Sequence, residues 1–256
     1  MQPPRLISRL DIKGDNVIKG IHLEGLRVIG APREIARRYY QAGIDEIVYM
    51  DAVASLYGRN NILSVIEQAA RDIFVPLTVG GGIRTVDDIV AALRAGADKV
   101  AVNTAAIGRP TFLREAAEMF GSQCIVLSVE AKRRGAKEWE ALTDNGRERT
   151  GINVLDWVEE AESLGVGEVM VTSVDYEGTR RNFDHDLFRA VRERVSLPVI
   201  GCGGAGRVED LVEALIDDRI DAVACASLLH YAHASVSEIK AAISNAGIPV
   251  RIEASK

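Results

Sequence analysis

The sequence predicts an α/β protein: one (β/α)8 (TIM) barrel built from two half-barrel repeats. Three observations predict it. Short β-branched runs alternate with amphipathic stretches along all 256 residues, eight of each, which is the size and rhythm of that fold. A motif recurs: Val79-Gly-Gly-Gly-Ile-Arg-Thr-Val-Asp-Asp-Ile-Val returns 122 residues later as Gly201-Cys-Gly-Gly-Ala-Gly-Arg-Val-Glu-Asp-Leu-Val. No linker or low-complexity segment divides the chain, so half-barrels of approximately 1–121 and 122–256 share one domain.

The strand candidates are 6–12, 46–51, 76–79, 99–103, 124–129, 168–173, 198–202 and 222–226. Between them lie helical stretches near 32–42, 60–72, 85–95, 110–119, 152–164, 184–195, 207–218 and 236–246. Pro32, Pro110 and Thr85 with Asp88 three residues on mark helix starts. Pro76 and Pro198, Glu46 and Glu168, and Gly43 and Gly165 share the offset of the motif. One residue of slippage then aligns Asp98-Lys-Val-Ala-Val-Asn-Thr with Asp221-Ala-Val-Ala-Cys-Ala-Ser.

Lys and Arg number 31 against 37 Asp and Glu, a net charge of −6, which argues against a nucleic-acid binder. Local backbone N–H groups can still hold an anionic small ligand. No apolar run reaches the roughly 18 residues of a membrane span, and Met1-Gln2-Pro3-Pro4-Arg5 has no signal-peptide pattern. Three cysteines, Cys124, Cys202 and Cys225, lack metal-ligand spacing and fit the reduced thiols of a cytoplasmic protein. Neither a metal nor a cofactor site is expected.

Strand parity sorts the side chains. Arg5, Ile7, Arg9 and Asp11 share one face of the first strand, and Lys99, Ala101 and Asn103 one face of the fourth. Val126, Ser128 and Glu130 line the fifth, and Glu168, Met170 and Thr172 the sixth. The bulkier opposite faces belong against the helices, so these sets point inward and the interior reads as wetter than an ordinary barrel core. Arg5, Glu46, Lys99 and Glu168 would meet at the strand starts. Desolvated charges must pair, either as a stabilising cluster or as a polar plug at one end of a passage. Arg9 would lie inside above them, with Asp11 or Glu130 as its partner.

In this fold catalytic groups come from the C-terminal strand ends. Asp11 and Glu130 end diametrically opposite strands, an arrangement suited to donating a proton on one side of a substrate and accepting one on the other. Gly81, Gly82, Asn103 and Thr104 form one candidate phosphate cradle; Gly203, Gly204, Ala226 and Ser227 form the second, bordered by Ser173, Asp175, Glu177, Gly178 and Thr179. Two such cradles imply a ligand phosphorylated at both ends. Residues 14–31 read as a long lid or binding loop, and they carry Lys19 within reach of an anionic substrate. His22, His185, His230 and His233 read as structural or surface residues, and Tyr39, Tyr40, Trp139 and Trp157 as packing.

Leu10-Asp-Ile-Lys with Val17-Ile-Lys-Gly, Thr78-Val-Gly-Gly-Gly-Ile, Ala97-Asp-Lys-Val with Asn103-Thr-Ala-Ala, Phe120-Gly-Ser-Gln and Gly203-Gly-Ala-Gly resemble the cyclase subunit of imidazole glycerol phosphate synthase over essentially the whole chain. The resemblance implies a lyase of histidine biosynthesis. A partner glutaminase makes ammonia, which crosses the barrel and closes an imidazole ring on a bis-phosphorylated ribulosyl-formimino aminoimidazole carboxamide ribotide. It implies Asp11 as an acid/base residue, Lys19 as a mobile-loop contact, and Asn103 and Thr104 at the first phosphate. Gly204, Ala226 and Ser227 map near the second. Arg5, Glu46, Lys99 and Glu168 match the ammonia gate, and Asp98 matches an acid facing the glutaminase. Three positions depart: Glu130 and Glu177 stand where the family has Asp, and Arg9 where it carries a small residue such as Cys. That pattern is similar to paralogues that supply ammonia to a sugar amidotransferase in surface-polysaccharide synthesis, which makes an ammonia conduit the alternative role.

Overall fold

Two inserted strand pairs and two short extra helices decorate a regular strand–helix alternation in the computed structural model, which describes residues 3–54 and 62–251. Met1 and Gln2, residues 60 and 61 of one expected helix, and the tail 252–256 lie outside the described residues. β1 (Arg5–Lys13) is followed by β2 (Asn16–Ile21), β3 (Glu24–Gly30) and α1 (Pro32–Gln41). Next come β4 (Glu46–Asp51), α2 (Leu63–Ala69), β5 (Leu77–Gly80) and α3 (Val86–Ala95). β6 (Lys99–Val102) leads into α4 (Thr104–Gly108) and α5 (Thr111–Phe120). β7 (Ile125–Gly135), β8 (Glu138–Thr143), β9 (Glu148–Asn153) and α6 (Val154–Ser163) mirror the opening run. β10 (Glu168–Ser173), α7 (His185–Arg194), β11 (Val199–Cys202), α8 (Val208–Asp217), β12 (Ala222–Cys225), α9 (Ser227–His230) and α10 (Val236–Asn245) complete the chain.

β1, β4, β5, β6, β7, β10, β11 and β12 pair in that order, all parallel, and β12 returns to β1. The expected barrel is therefore closed, with no free edge among these eight. Helix starts follow local chemistry: Pro32 opens α1, and Thr85 caps α3 in a reciprocal box with Asp88. The outward strand residues, among them Leu6, Leu10, Tyr49, Val100, Leu127 and Val171, join the helices in the main core.

Two expectations are corrected. Residues 14–31 are not an irregular loop: β2 and β3 form an antiparallel hairpin on β1, and β8 and β9 repeat the device on β7. The interior is polar mainly towards its ends, although buried Ser128 stands level with Met170. Its middle is an apolar layer that includes Ile7, Val48, Val126, Met170 and Ile200. Polar groups there would be desolvated with no partner, which aliphatic side chains avoid.

Candidate active site

β1 and β7 stand four places apart in the ring of eight and carry the two acids to opposite sides of one mouth. Asp11 is buried; Arg9 Nε donates to its Oδ1 at 2.8 Å and Lys19 Nζ lies 3.9 Å from Oδ2. Burial alone would raise the Asp11 pKa, but the charges of Arg9 and Lys19 together outweigh it and hold the carboxyl below its ordinary value. Glu130 is equally buried, and its Oε2 accepts from Asn103 Nδ2 at 3.0 Å and from the Gly146 amide at 2.8 Å. Burial prevails over these bonds and over Arg9, and the Glu130 carboxyl is pushed up to about 7. Two carboxyls in one mouth thus differ in protonation at neutral pH, which is the usual sign of divided acid and base roles.

Both glycine turns adopt left-handed backbone beside a short helix. Gly81 and Gly82 face Thr104 around a cavity of about 310 Å3 that also reaches Asp51, Arg84, Arg109 and Glu130. The Asn103 side chain is committed elsewhere, to Glu130 and the Leu142 carbonyl (2.9 Å), so its share of the cradle is its backbone. Thr104 Oγ1 accepts from the Asp144 amide at 3.1 Å. The second cradle gathers Lys19, Glu177, Gly178, Gly203, Gly204, Ala226 and Ser227, but its cavity is only about 20 Å3. Lys19 and Glu177 fill it with a direct ion pair, both side chains buried. The β2–β3 hairpin holds them there: the His22 amide donates to the Glu177 carbonyl at 2.8 Å, and His22 Nδ1 bonds the Val174 carbonyl at 2.8 Å. Lys19, read as a contact on a loose lid, is a buried strand residue.

At the other end the four expected charges close a ring. Arg5 Nη1 meets Glu46 at 2.7 Å, and Arg5 Nη2 bonds Glu168 directly. Lys99 Nζ lies 2.7 Å from Glu46 and 2.9 Å from Glu168. Thr78 Oγ1 donates to Glu46 at 2.7 Å. Glu168 is held below its ordinary pKa: burial opposes this, and Arg5 and Lys99 override it. Below the ring a concavity of about 1330 Å3 opens between Pro4, Arg5, Lys99, Glu168 and Asp221. Asp98, exposed on the same side, accepts the Leu77 amide at 2.8 Å. Asp45 and Asp221 treat the Leu6 and Val199 amides alike, at 2.8 and 2.9 Å.

Sequence reasoning missed Gly146 and Asn145, and it placed Thr172 inward and Cys202 as a reduced thiol without giving either a role. Gly146 sits in the β8–β9 turn, where Asp144-Asn145-Gly146 is a readable hairpin signal. Arg9, placed inside by parity, is fully buried and donates through Nη1 to Thr172 Oγ1 at 2.8 Å and to Cys202 Sγ at 3.7 Å. Those partners are on β10 and β11, which parity alone does not select. The four histidines bond protein groups: His22 to Val174, His185 to Asp218, His230 to Tyr39 and His233 to Arg180. Trp139 and Trp157 are buried.

Opposed buried carboxyls between two glycine cradles, all at the C-terminal strand ends, define a closed (β/α)8 barrel with its candidate site at the mouth. A family profile described as "Histidine biosynthesis protein" matches residues 5–235. A Legionella pneumophila protein named "Imidazole glycerol phosphate synthase subunit HisF" is 57% identical over 210 residues, 82% of this chain and 99% of the relative. A protein of the same name from Dehalococcoides mccartyi is 43% identical over 249 residues, 97% of this chain and 98% of the relative. The chain belongs to the histidine biosynthesis protein family.

Proposed function

We propose that this chain is the ammonia-dependent cyclase of imidazole glycerol phosphate synthesis. Its substrate is then the bis-phosphorylated ribulosyl-formimino aminoimidazole carboxamide ribotide, and its products are imidazole glycerol phosphate and an aminoimidazole carboxamide ribotide. The observation that carries the reading is the pair of buried carboxyls, Asp11 ionised and Glu130 with a pKa of about 7, facing each other between two cradles. Asp11 takes up the proton that ammonia sheds as it adds to the substrate, and Glu130 gives one to the departing group. Gly82, Thr104 and the Asn103 backbone hold one phosphate; Gly178, Gly203, Gly204, Ala226 and Ser227 hold the other once Lys19 and Glu177 part. Lys19 then neutralises that phosphate.

The concavity below the ring supports docking of a glutaminase subunit as a heterodimer, with Asp98 on the docking side. Ammonia would enter between Arg5, Glu46, Lys99 and Glu168, cross the apolar layer and meet Arg9. Both named relatives carry the synthase name and give the conduit role no support. Arg9, lying across the bore, also argues against a chain whose only task is passage. Among the described residues, no helix is long and apolar enough to cross a membrane.

The test supplies ammonium salt and saturating bis-phosphorylated substrate to the purified chain. Turnover is expected and, at a constant concentration of free ammonia, falls as pH rises through about 7 because Glu130 loses the proton it must donate. Asp11→Asn and Glu130→Gln should each lower kcat by about 10²–10⁴-fold. No turnover in the intact chain, or unchanged kcat in Asp11→Asn, overturns the reading.

A further inference from the structure

Arg9 is among the largest fully buried side chains of the protein and it is charged. It leaves β1 and crosses the bore to β10 and β11, three and two strands away, directly beneath the mouth. Nε is spent on Asp11 and Nη1 on Thr172 and Cys202; Nη2 is buried with no partner among the described residues. An apolar side chain would fill this space without desolvating a guanidinium or leaving a donor unpaired, so packing does not account for it. What an apolar side chain could not do is tie a carboxylate on one wall to a hydroxyl on the other. Thr172 is the register partner of Glu130 in the β10–β7 pairing. The Arg9 tether therefore ends on the residue next to the second acid.

We propose that Arg9 is a positioning residue for the mouth acids, spanning the bore from Asp11 to Thr172 so that the Asp11 carboxylate keeps one orientation opposite Glu130. A planar fork with two bonds in fixed directions suits this task; an ammonium point charge does not. The groups facing Asp11 are Arg9 on its own strand, Lys19 on β2 and His230 on α9, with Glu177 beyond Lys19 and Cys202 of β11 against Arg9 and Lys19. Those facing Glu130 are Arg9 and Asp11, with Asn103 after β6 and Gly146 of the β8–β9 turn. Among the described residues, Arg9 is the cation that acts on both acids.

The test compares Arg9→Met, Arg9→Lys and Thr172→Val in the full chain. Carbon-13 carboxyl NMR follows Asp11 and Glu130, assigned through Asp11→Asn and Glu130→Gln. In Arg9→Met both carboxyls should titrate higher, Asp11 by about one unit or more, and ammonium-dependent kcat should fall about 10-fold or more with little change in KM. Arg9→Lys should return the Asp11 titration towards wild type but leave kcat low, because one ammonium cannot make both bonds at once. Thr172→Val keeps the charge and cuts only the far tether, so it should lower kcat several-fold without moving Asp11, and it decides the matter should Arg9→Met fail to fold. A stationary Asp11 titration in Arg9→Met, or wild-type kcat in Thr172→Val, overturns the proposal. The turnover arm rests on the cyclase reading; if the wild-type chain is inactive, that reading fails while the NMR arm still decides whether Arg9 holds Asp11.

Discussion

At the first cradle Gly81 and Gly82 have φ of 87° and 77°, and Asn103 sits at φ −132°, ψ −86°; at the second, Gly203 and Gly204 have 93° and 122°, and Ala226 sits at −125°, −77°. The backbones are near copies, 122 or 123 residues apart. Their contents are not: one encloses about 310 Å3 and the other about 20 Å3. The backbone offers the same scaffold twice, and side chains arriving from elsewhere decide what each copy can receive. The basal ring shows the same division. Its glutamates, Glu46 and Glu168, are equivalent in the two repeats, whereas both cations, Arg5 and Lys99, belong to the first.

The largest effect is expected where that ring is broken. Glu46 bonds Arg5, Lys99 and Thr78 with its side chain 1% exposed; among the described residues Glu168 bonds only the two cations, and it is 9% exposed. Glu46→Gln leaves Arg5 and Lys99 to share Glu168 alone, one uncompensated charge in a largely desolvated setting, and should cost about 3 kcal/mol in urea denaturation at neutral pH. Glu168→Gln should cost less, because water reaches that side of the ring. The pH dependence has a definite sign. The Glu168 pKa is lowered on folding, so its stabilisation is present above the ordinary carboxylate range and is lost as pH falls through the folded value. Equal costs for the two variants would show that the ring does not distinguish its halves.

Much of this asymmetry was hidden in the chain while its symmetry was not. Parity and the repeat offset locate Asp11, Glu130, both cradles and all four ring charges, because each depends only on where a side chain stands along its own strand. Partnership across the barrel is another matter. Thr172 and Cys202 as the anchors of Arg9 require knowing how far its side chain reaches across the bore. The β2–β3 hairpin left little trace: its two-residue turn puts His22 and Leu23 at φ 52° and 63° with no glycine. What holds that turn is tertiary: His22 bonds Val174 and Leu23 packs on Leu142 and Val174. β3 is largely exposed, so it lacks the alternation that marks a half-buried strand.

The glycine turns allow a finer test of the scaffold. A Cβ on Gly81 would lie 2.3 Å from the Asp51 carbonyl oxygen; on Gly203 it would lie 2.9 Å from the equivalent Ser173 oxygen. Both backbones are left-handed, so either alanine is strained, and the closer clash makes the first worse. Thermal unfolding should show Gly81→Ala losing about 2–3 kcal/mol and Gly203→Ala about 1–2 kcal/mol. The reverse order would mean that the two turns are not held by the same neighbours.

The smallest effect concerns the filled cradle. Under the proposed reading Glu177 pairs with Lys19 inside the second cradle, so inorganic phosphate must displace a buried ion pair there and nothing comparable at the first. In an amide NMR titration with inorganic phosphate, the signals of Gly82 and Thr104 should shift at lower concentration than those of Gly204 and Ser227. Glu177→Gln leaves Lys19 with the more distant Asp11 as its only anionic partner among the described residues and removes the competing charge. Partly solvent-screened, that exchange is worth about 1.4 kcal/mol, so the second site should tighten about tenfold while the first stays as it was. If both sites already bind alike in the wild type, the pair opens at no cost and the difference in cavity volume has no bearing on affinity. If Glu177→Gln instead weakens the second site, the carboxylate serves to aim Lys19 at the phosphate and does not compete with it.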